Sequence, residues 1–383
     1  MQKLIAKFKE RFHIAPVIGA AAPGRLEVLG NHTDYNEGFV LSCAVEQTTK
    51  FVFAPISGSR CMVKDFRDGS EMSFDLSALD AKPPRSGCKY IIGMLKELRK
   101  RGFKPFAFTA GLESDVPLSA GMSSSAALEV ACALAFTAYT NFKIEKAELA
   151  RAGQGVENNF LGLKTGLLDQ FSSLFGKKDS IIMSDFRTVE VLGTHSLPSG
   201  YVFVVINSMK KHTLVNSAYN SRREDCESAA KKLAAIYPGK KTLRDVSPEE
   251  LDKAKAALSV QEFRRAAHVT GECFRVKQAA ELLKNGDVKG FGKLLFDSHA
   301  SSRENFENSS PELDILVDIA RQDEKCLGAR LSGGGFGGIT IHLVKAEDAA
   351  DYAERVKSEY FRRTGIEAET IITSLGDGAR IAE

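Results

Sequence analysis

Pro117-Leu118-Ser119-Ala120-Gly121-Met122-Ser123-Ser124-Ser125-Ala126-Ala127-Leu128 is a run of small residues that passes directly into an Ala- and Leu-rich segment with helical spacing, from Ser123 to about Tyr139. Small side chains let a backbone approach a ligand closely. Three consecutive serines at a helix N-terminus set hydroxyls beside the unpaired amides and the positive end of the helix dipole. The run therefore reads as a phosphate cradle, although it is neither a GxxxxGK[ST] loop nor a GxGxxG turn. A serine-capped core helix is the plainer alternative.

Two further runs share this character. Downstream, Leu331-Ser332-Gly333-Gly334-Gly335-Phe336-Gly337-Gly338 carries five glycines in six positions. Such density serves a turn with positive φ angles, or a backbone pressed against another group. The strand-like Ile339 to Val344 follows at once and disfavours a linker. Upstream, the segment Ala22-Pro23-Gly24-Arg25-Leu26-Glu27-Val28-Leu29-Gly30-Asn31-His32-Thr33-Asp34-Tyr35 gathers Arg25, His32, Asp34 and Tyr35 within eleven positions. Opened by Pro-Gly and closed by the turn at Asn36-Glu37-Gly38, it reads as a loop presenting several hydrogen-bonding groups to one ligand.

At 383 residues the chain predicts two packed lobes with a cleft between them, and we place the boundary near residue 199, giving lobes 1–198 and 199–383. Hydrophobic residues at 43% and charged residues at 26% exclude a disordered or fibrous chain. A net charge of +3 without a basic stripe gives no reason to expect nucleic acid as a partner. No apolar run approaches the roughly 20 residues that span a bilayer, and the N-terminal segment reads as an amphipathic helix and not a secretory signal. No membrane association is expected, and a cytoplasmic location follows by elimination. The seven cysteines are scattered and never form CxxC, so reduced, buried thiols are expected in place of disulfides or a zinc site.

Around the motifs, strands are expected at Phe39 to Val45, Thr48 to Ile56, Phe106 to Glu113 and Tyr201 to Ile206. A loop is expected at Lys82-Pro83-Pro84-Arg85. Helices are expected at Cys88 to Arg101, Glu145 to Phe160, Arg222 to Ile236, Val260 to Leu283, Val288 to Ser298 and Pro311 to Gln322.

The three runs, in this order and at these spacings, resemble the three signatures of the GHMP kinase superfamily, and within it those of galactokinases. The first follows the galactokinase pattern GRxNxxGEHTDYNxG except at Glu27 and Asn31. Gly166-Leu167-Leu168-Asp169-Gln170-Phe171, Arg265-Ala266-Ala267-His268-Val269 and Pro311-Glu312-Leu313-Asp314 are similar to galactokinase stretches as well. The resemblance implies an α/β (α+β) fold of two lobes, the first like ribosomal S5 domain 2 and the second ferredoxin-like, with ATP and a monosaccharide meeting in the cleft. It implies transfer of the γ-phosphate to the anomeric hydroxyl of galactose or a related sugar.

By position, the resemblance implies that Asp169 is the catalytic carboxylate with Arg25 beside it. Gly121, Met122, Ser123, Ser124 and Ser125, with Gly334 and Gly335, would embrace the ATP phosphates. Ser125 and Glu157 would hold Mg²⁺, and Asn31, His32, Asp34, Gly166 and Tyr219 would hold the sugar. Taken alone, Glu157 reads as a solvated helix residue and Asp169 as a helix cap. Galactokinases carry Glu where this chain has Asn31, near the sugar's C6 hydroxyl. An amide there would tolerate a carboxylate that Glu repels, so galacturonate and N-acetylgalactosamine are alternatives to galactose, and restoring Glu at 31 is expected to improve galactose turnover if Asn31 has relaxed the site. Galactokinases often have Trp where Gly87 stands, which leaves the nucleobase pocket unassigned. Galactose-sensor relatives, which bind without catalysis, lack a Ser-Ala pair that is intact here at Ser125-Ala126.

Overall fold

The segment that carries Arg25 is a strand for most of its length. Ile18–Leu29 forms β1, buried from Gly19 onward, in a computed structural model that describes residues 1–82, 87–117, 121–210 and 215–382. It runs antiparallel to β2 (Phe39–Pro55), and the ladder shifts register between Pro23 and Arg25 and again between Glu27 and Leu29. Pro23 has no N–H for a ladder, and the irregularity beside it is how the strand accommodates a proline. A Cβ on Gly24 would come within 2.7 Å of the Met122 carbonyl, so glycine is required where the serine run crosses β1. The expected polar loop is thus confined to the residues after Leu29. The two strands expected at Phe39 to Val45 and Thr48 to Ile56 are one long strand.

The first sheet continues with β3 (Arg60–Asp65), β4 (Glu71–Asp75), β5 (Phe108–Ser114), β6 (Ser180–Asp185) and β7 (Glu190–Ser196). The second sheet contains β8 (Tyr201–Asn207), β9 (Cys326–Ser332), β10 (Ile339–Lys345) and β11 (Glu369–Thr373), in the order β11-β8-β10-β9. The last strand, β12 (Arg380–Ala382), returns to the first sheet beside β1, giving the order β12-β1-β2-β5-β3-β4 with β6 paired to β2 and β7 to β6. Among these pairs only β3–β5 is parallel.

Helices α1 (Gln2–Phe12), α2 (Cys88–Lys100), α3 (Ser124–Tyr139), α4 (Lys146–Gly155) and α5 (Leu168–Phe175) accompany the first sheet. Phe136 of α3 packs among Phe51, Phe53 and Phe108 in its core. Helices α6 (Val215–Ile236), α7 (Pro248–Lys253), α8 (Val260–Lys284), α9 (Val288–Ser301), α10 (Pro311–Gln322) and α11 (Ala349–Thr364) follow. Leu316 of α10 and Tyr352 of α11 pack with Val204 and Val344 of the second sheet. One apolar cluster joins the lobes, packing Leu26, Leu41 and Met122 with Phe203, Phe291 and Ile339. That shared core holds β1, the serine run and the glycine run against one another. All seven cysteines are buried, and none of them is paired in a disulfide. The prolines at 83 and 84, and Leu118, Ser119 and Ala120 of the serine run, lie outside the described residues. Among the described residues no helix is long and apolar enough to cross a membrane.

Candidate active site

Arg25 on β1, Ser123 just ahead of α3 and Asp169 in the first turn of α5 are brought together by the packing of these elements. Arg25 Nε donates to Asp169 Oδ1 at 2.8 Å, and its Nη2 lies 2.6 Å from the same oxygen. Nη1 donates to the Gly121 carbonyl at 2.5 Å, and the Ser123 hydroxyl donates to Asp169 Oδ2. The Arg25 side chain is 6% exposed and that of Asp169 is 28% exposed. The carboxylate is therefore clamped from the protein side and open on the other.

Two cavities meet at this carboxylate. One, of about 390 Å³, runs past Ser123, Ser124 and Ser125. The other, of about 250 Å³, is walled by Asn31, His32, Asp34, Gly166 and Tyr219. Arg25, Asp169, Gly333, Gly334 and Gly335 belong to the walls of both.

In the smaller cavity each predicted residue has an identifiable support. Asp34 accepts from the Leu168 amide at 3.3 Å, and burial, with the Asp169 charge nearby, pushes its carboxyl up. Gly166 faces it so closely that any Cβ would overlap the Asp34 carboxylate. His32, at φ 59°, stacks on Phe306 with centroids 4.3 Å apart. Its Nδ1 lies 2.8 Å from the Tyr35 hydroxyl and its Nε2 lies 3.2 Å from the Gly334 carbonyl. A carbonyl only accepts, so the proton is assigned to Nε2 and Nδ1 accepts from Tyr35. Burial lowers the His32 pKa to about 3, so the ring is neutral. The Tyr219 ring, on α6, lies 5.0 Å from that of His32. Asn31 lines the cavity too, but its amide is fully occupied by protein partners.

The larger cavity combines a helix start with the glycine run. Ser123 takes a left-handed conformation, φ 57°, and the first amides of α3, which have no partner within the helix, follow it. Gly333, Gly335, Phe336, Gly337 and Gly338 all have positive φ, the conformation for which the glycines are needed. The Phe336 amide donates to the Asn308 carbonyl at 2.6 Å, and Asn308 Nδ2 reaches the Gly334 carbonyl at 3.2 Å. Met122 is the exception among the predicted phosphate residues. Its side chain is buried in the core between the lobes and lines neither cavity, and its carbonyl accepts from the Arg25 amide.

Glu157 lines neither cavity, but it is no solvated helix residue. The expected helix Glu145 to Phe160 ends at Gly155 and widens into a π turn, Val156–Phe160, which buries Glu157. Thr165 Oγ1 donates to it at 2.5 Å. Burial and the Asp169 charge raise its pKa to about 7. Sequence reading missed Glu129 of α3, which is wholly buried, accepts from Gln170 at 2.9 Å and is pushed well up by burial and by Glu157. It also missed the far wall of the larger cavity, where Tyr90, Met72, Leu112 and Leu128 form a mostly apolar slot beside an Asp65–Arg67 pair. These residues come from four separate elements and share no contiguous motif. Gly87 lines this slot, and a Cβ there would meet Met72 Sδ at 3.6 Å.

Residues 89–177 match the GHMP kinases N terminal domain, 279–362 the GHMP kinases C terminal domain, and 6–55 the galactokinase galactose-binding signature. The chain is 38% identical to a galactokinase of Glaesserella parasuis over 98% of its own length and 97% of that protein's. It is 38% identical to a galactokinase of Thermotoga petrophila over 90% and 95%. Among solved structures, the galactokinase of Lactococcus lactis complexed with galactose superposes with a TM-score of 0.93 at 28% identity, covering 99% of both chains. A mevalonate kinase at 18% identity and TM-score 0.62 shares the fold.

Proposed function

The chain belongs to the galactokinase family of the GHMP kinases, and on that premise we propose that it transfers the γ-phosphoryl group of ATP to the anomeric hydroxyl of galactose. One observation carries the reading beyond the family: two cavities of different character meet at a clamped but accessible carboxylate, Asp169. The smaller cavity, rich in hydrogen-bonding side chains, suits a monosaccharide. The larger one, with its helix N-terminus, glycine run and apolar far slot, suits a nucleoside triphosphate whose γ-phosphate points at Asp169.

In this reading Asp169 orients the C1 hydroxyl and takes its proton as that oxygen attacks phosphorus. The new O1–P bond forms while the bond from the γ-phosphorus to the β,γ-bridging oxygen breaks and ADP leaves. Arg25 places a fixed positive charge beside both Asp169 and the transferring group, where charge redistributes in the transition state. Gly121, Ser123, Ser124, Ser125, Gly334 and Gly335 accommodate the phosphates, with Met122 contributing only backbone. Tyr90, Met72 and Leu128 receive the base.

Magnesium fits the donors present. Ser125 offers a hydroxyl at the start of α3, and the raised pKa of Glu157 marks a buried carboxylate whose charge a divalent cation would stabilise. Among the described residues no cluster of three or more His, Cys, Asp or Glu forms a metal cage, which suits an ion that keeps its waters and arrives with phosphate oxygens. When bound, it would neutralise phosphate charge.

The test is galactose-dependent ADP release by wild type and Asp169→Asn. Loss of the proton acceptor is expected to lower kcat by about 10²–10⁴-fold. The melting temperature and the binding of galactose should change little. Equal turnover by both proteins contradicts the assignment, and binding without turnover by wild type supports the sensor reading.

A further inference from the structure

The two departures from the galactokinase pattern, Glu27 and Asn31, touch each other. Asn31 is 1% exposed. Its Nδ2 donates to Glu27 Oε1 and to the Gly333 carbonyl, each at 2.8 Å. Its Oδ1 accepts from Asn308 Nδ2 at 2.8 Å and from the Ser302 hydroxyl at 3.4 Å. Two donor hydrogens and two lone pairs are the whole capacity of a carboxamide, so nothing is left for a ligand. Glu27 is different. Its Oε1 also takes Arg330 Nη1 and Nη2 at 3.1 Å each, in an ion pair with a fully buried guanidinium. Among the described residues no donor reaches Oε2, and the side chain, 5% exposed, belongs to the wall of the smaller cavity. A carboxylate oxygen on a largely buried side chain, with no donor among the described residues, gains most from a hydroxyl presented by a ligand.

We propose that Glu27 is a substrate-selecting residue: with Oε1 anchored by Asn31 and Arg330, its Oε2 accepts a hydrogen bond from one hydroxyl of the bound galactose. The proposal rests on the galactose kinase reading. Asn31 is then a positioning residue that acts through Glu27 and through the glycine run, and not a direct sugar ligand. Galacturonate gains nothing from the amide at 31, and a sugar carboxylate brought against Oε2 is repelled.

Glu27→Gln keeps an acceptor for Asn31 and Arg330 and turns an NH₂ toward the cavity. We would measure kcat/KM for galactose and for 2-, 3-, 4- and 6-deoxygalactose with wild type and variant, alongside thermal melting. Galactose turnover is expected to fall by about 10–100-fold, the scale for a lost hydroxyl contact in a polar site. For one deoxy sugar, the one lacking the partner hydroxyl, wild type and variant should agree within about threefold. Equal loss on every sugar, or no loss, overturns the proposal, because a merely structural role cannot tell the sugars apart. Should Glu27→Gln not fold, Glu27→Asp keeps the charge for Arg330 and withdraws Oε2 by one methylene, and the same sugar-dependent pattern is required of it. Absence of galactose turnover by wild type would overturn the kinase reading, and this inference with it. Turnover with a uniform loss overturns the inference alone.

Discussion

Asn31 and Glu27 share a 2.8 Å hydrogen bond in which the amide must be the donor, so the residue at 31 must donate as long as an acceptor stands at 27. Glu at position 31 alone would replace that donor with a second carboxylate against Glu27. Asn31→Glu is therefore expected to lower both the melting temperature and kcat/KM for galactose, the reverse of what the sequence pattern by itself suggested. The exchanged pair Glu27→Asn with Asn31→Glu should recover part of the loss, with a coupling of about 1–3 kcal/mol in a double-mutant cycle on stability. Additive losses would show that the two side chains do not depend on each other. Gly166→Ala tests a second residue: its Cβ overlaps the Asp34 carboxylate, and we expect the KM for galactose to rise about tenfold or more while the KM for ATP holds. At this scale much of the candidate site was legible: Arg25, His32 and Asp34 stand in one dense motif, while Asp169 was reached through the family resemblance and not from its own short segment. What the motifs conceal is occupancy. The alphabet does not say that Asn31 is saturated by Asn308 and Gly333, partners 277 and 302 residues away.

The serine run, the glycine run and the π turn each expose or bury groups that a regular helix or strand would not. Gly335 has φ 79°, and a Cβ there would strike the Asn308 carbonyl. Gly335→Ala should raise the KM for ATP by about tenfold, consistent with strain of 1–3 kcal/mol at a left-handed position. The π turn makes a pH prediction. Folding raises the Glu157 pKa from 4.5 to about 7, so the folded state binds this proton more tightly than the unfolded chain. The stability this contributes is present below about pH 4.5 and is lost as pH rises through 7. Without nucleotide or magnesium, Glu157→Gln should therefore gain melting temperature relative to wild type between pH 5 and pH 8; a constant difference across that range would show that Glu157 is not held in its protonated form. Helices such as α8 and α10 follow from periodicity, and the structure adds Ser259 and Ser310 as their N-caps. β1 escaped notice because Pro23-Gly24 has the composition of a turn, and only the antiparallel pairing with β2 overrides it.

At the scale of the whole molecule, the site exists because distant segments converge on one carboxylate. The final residues show how far this reaches. β12 pairs with β1 at Gly19, Ala20 and Ala21. Just before it, the amides of Gly376 and Ala379 donate to the carbonyls of Ala44 and Ser173. The tail thus braces both the strand of Arg25 and the helix of Asp169. Ending the chain after Ser374 is expected to lower kcat by about tenfold or more along with the melting temperature, the scale for a small misplacement of reacting groups. A fully active truncated protein would show that this brace is dispensable. Short strands such as β3, β11 and β12 gave little signal in the sequence, because long-range pairing decides them and their own residues do so only weakly. The most direct measurement is of the product itself: ³¹P and ¹H NMR of a reaction containing ATP, magnesium and galactose. Phosphate on the anomeric oxygen, formed by wild type and lost in Asp169→Asn, is the expected result. Phosphate on any other hydroxyl, or unchanged formation by the variant, would contradict it.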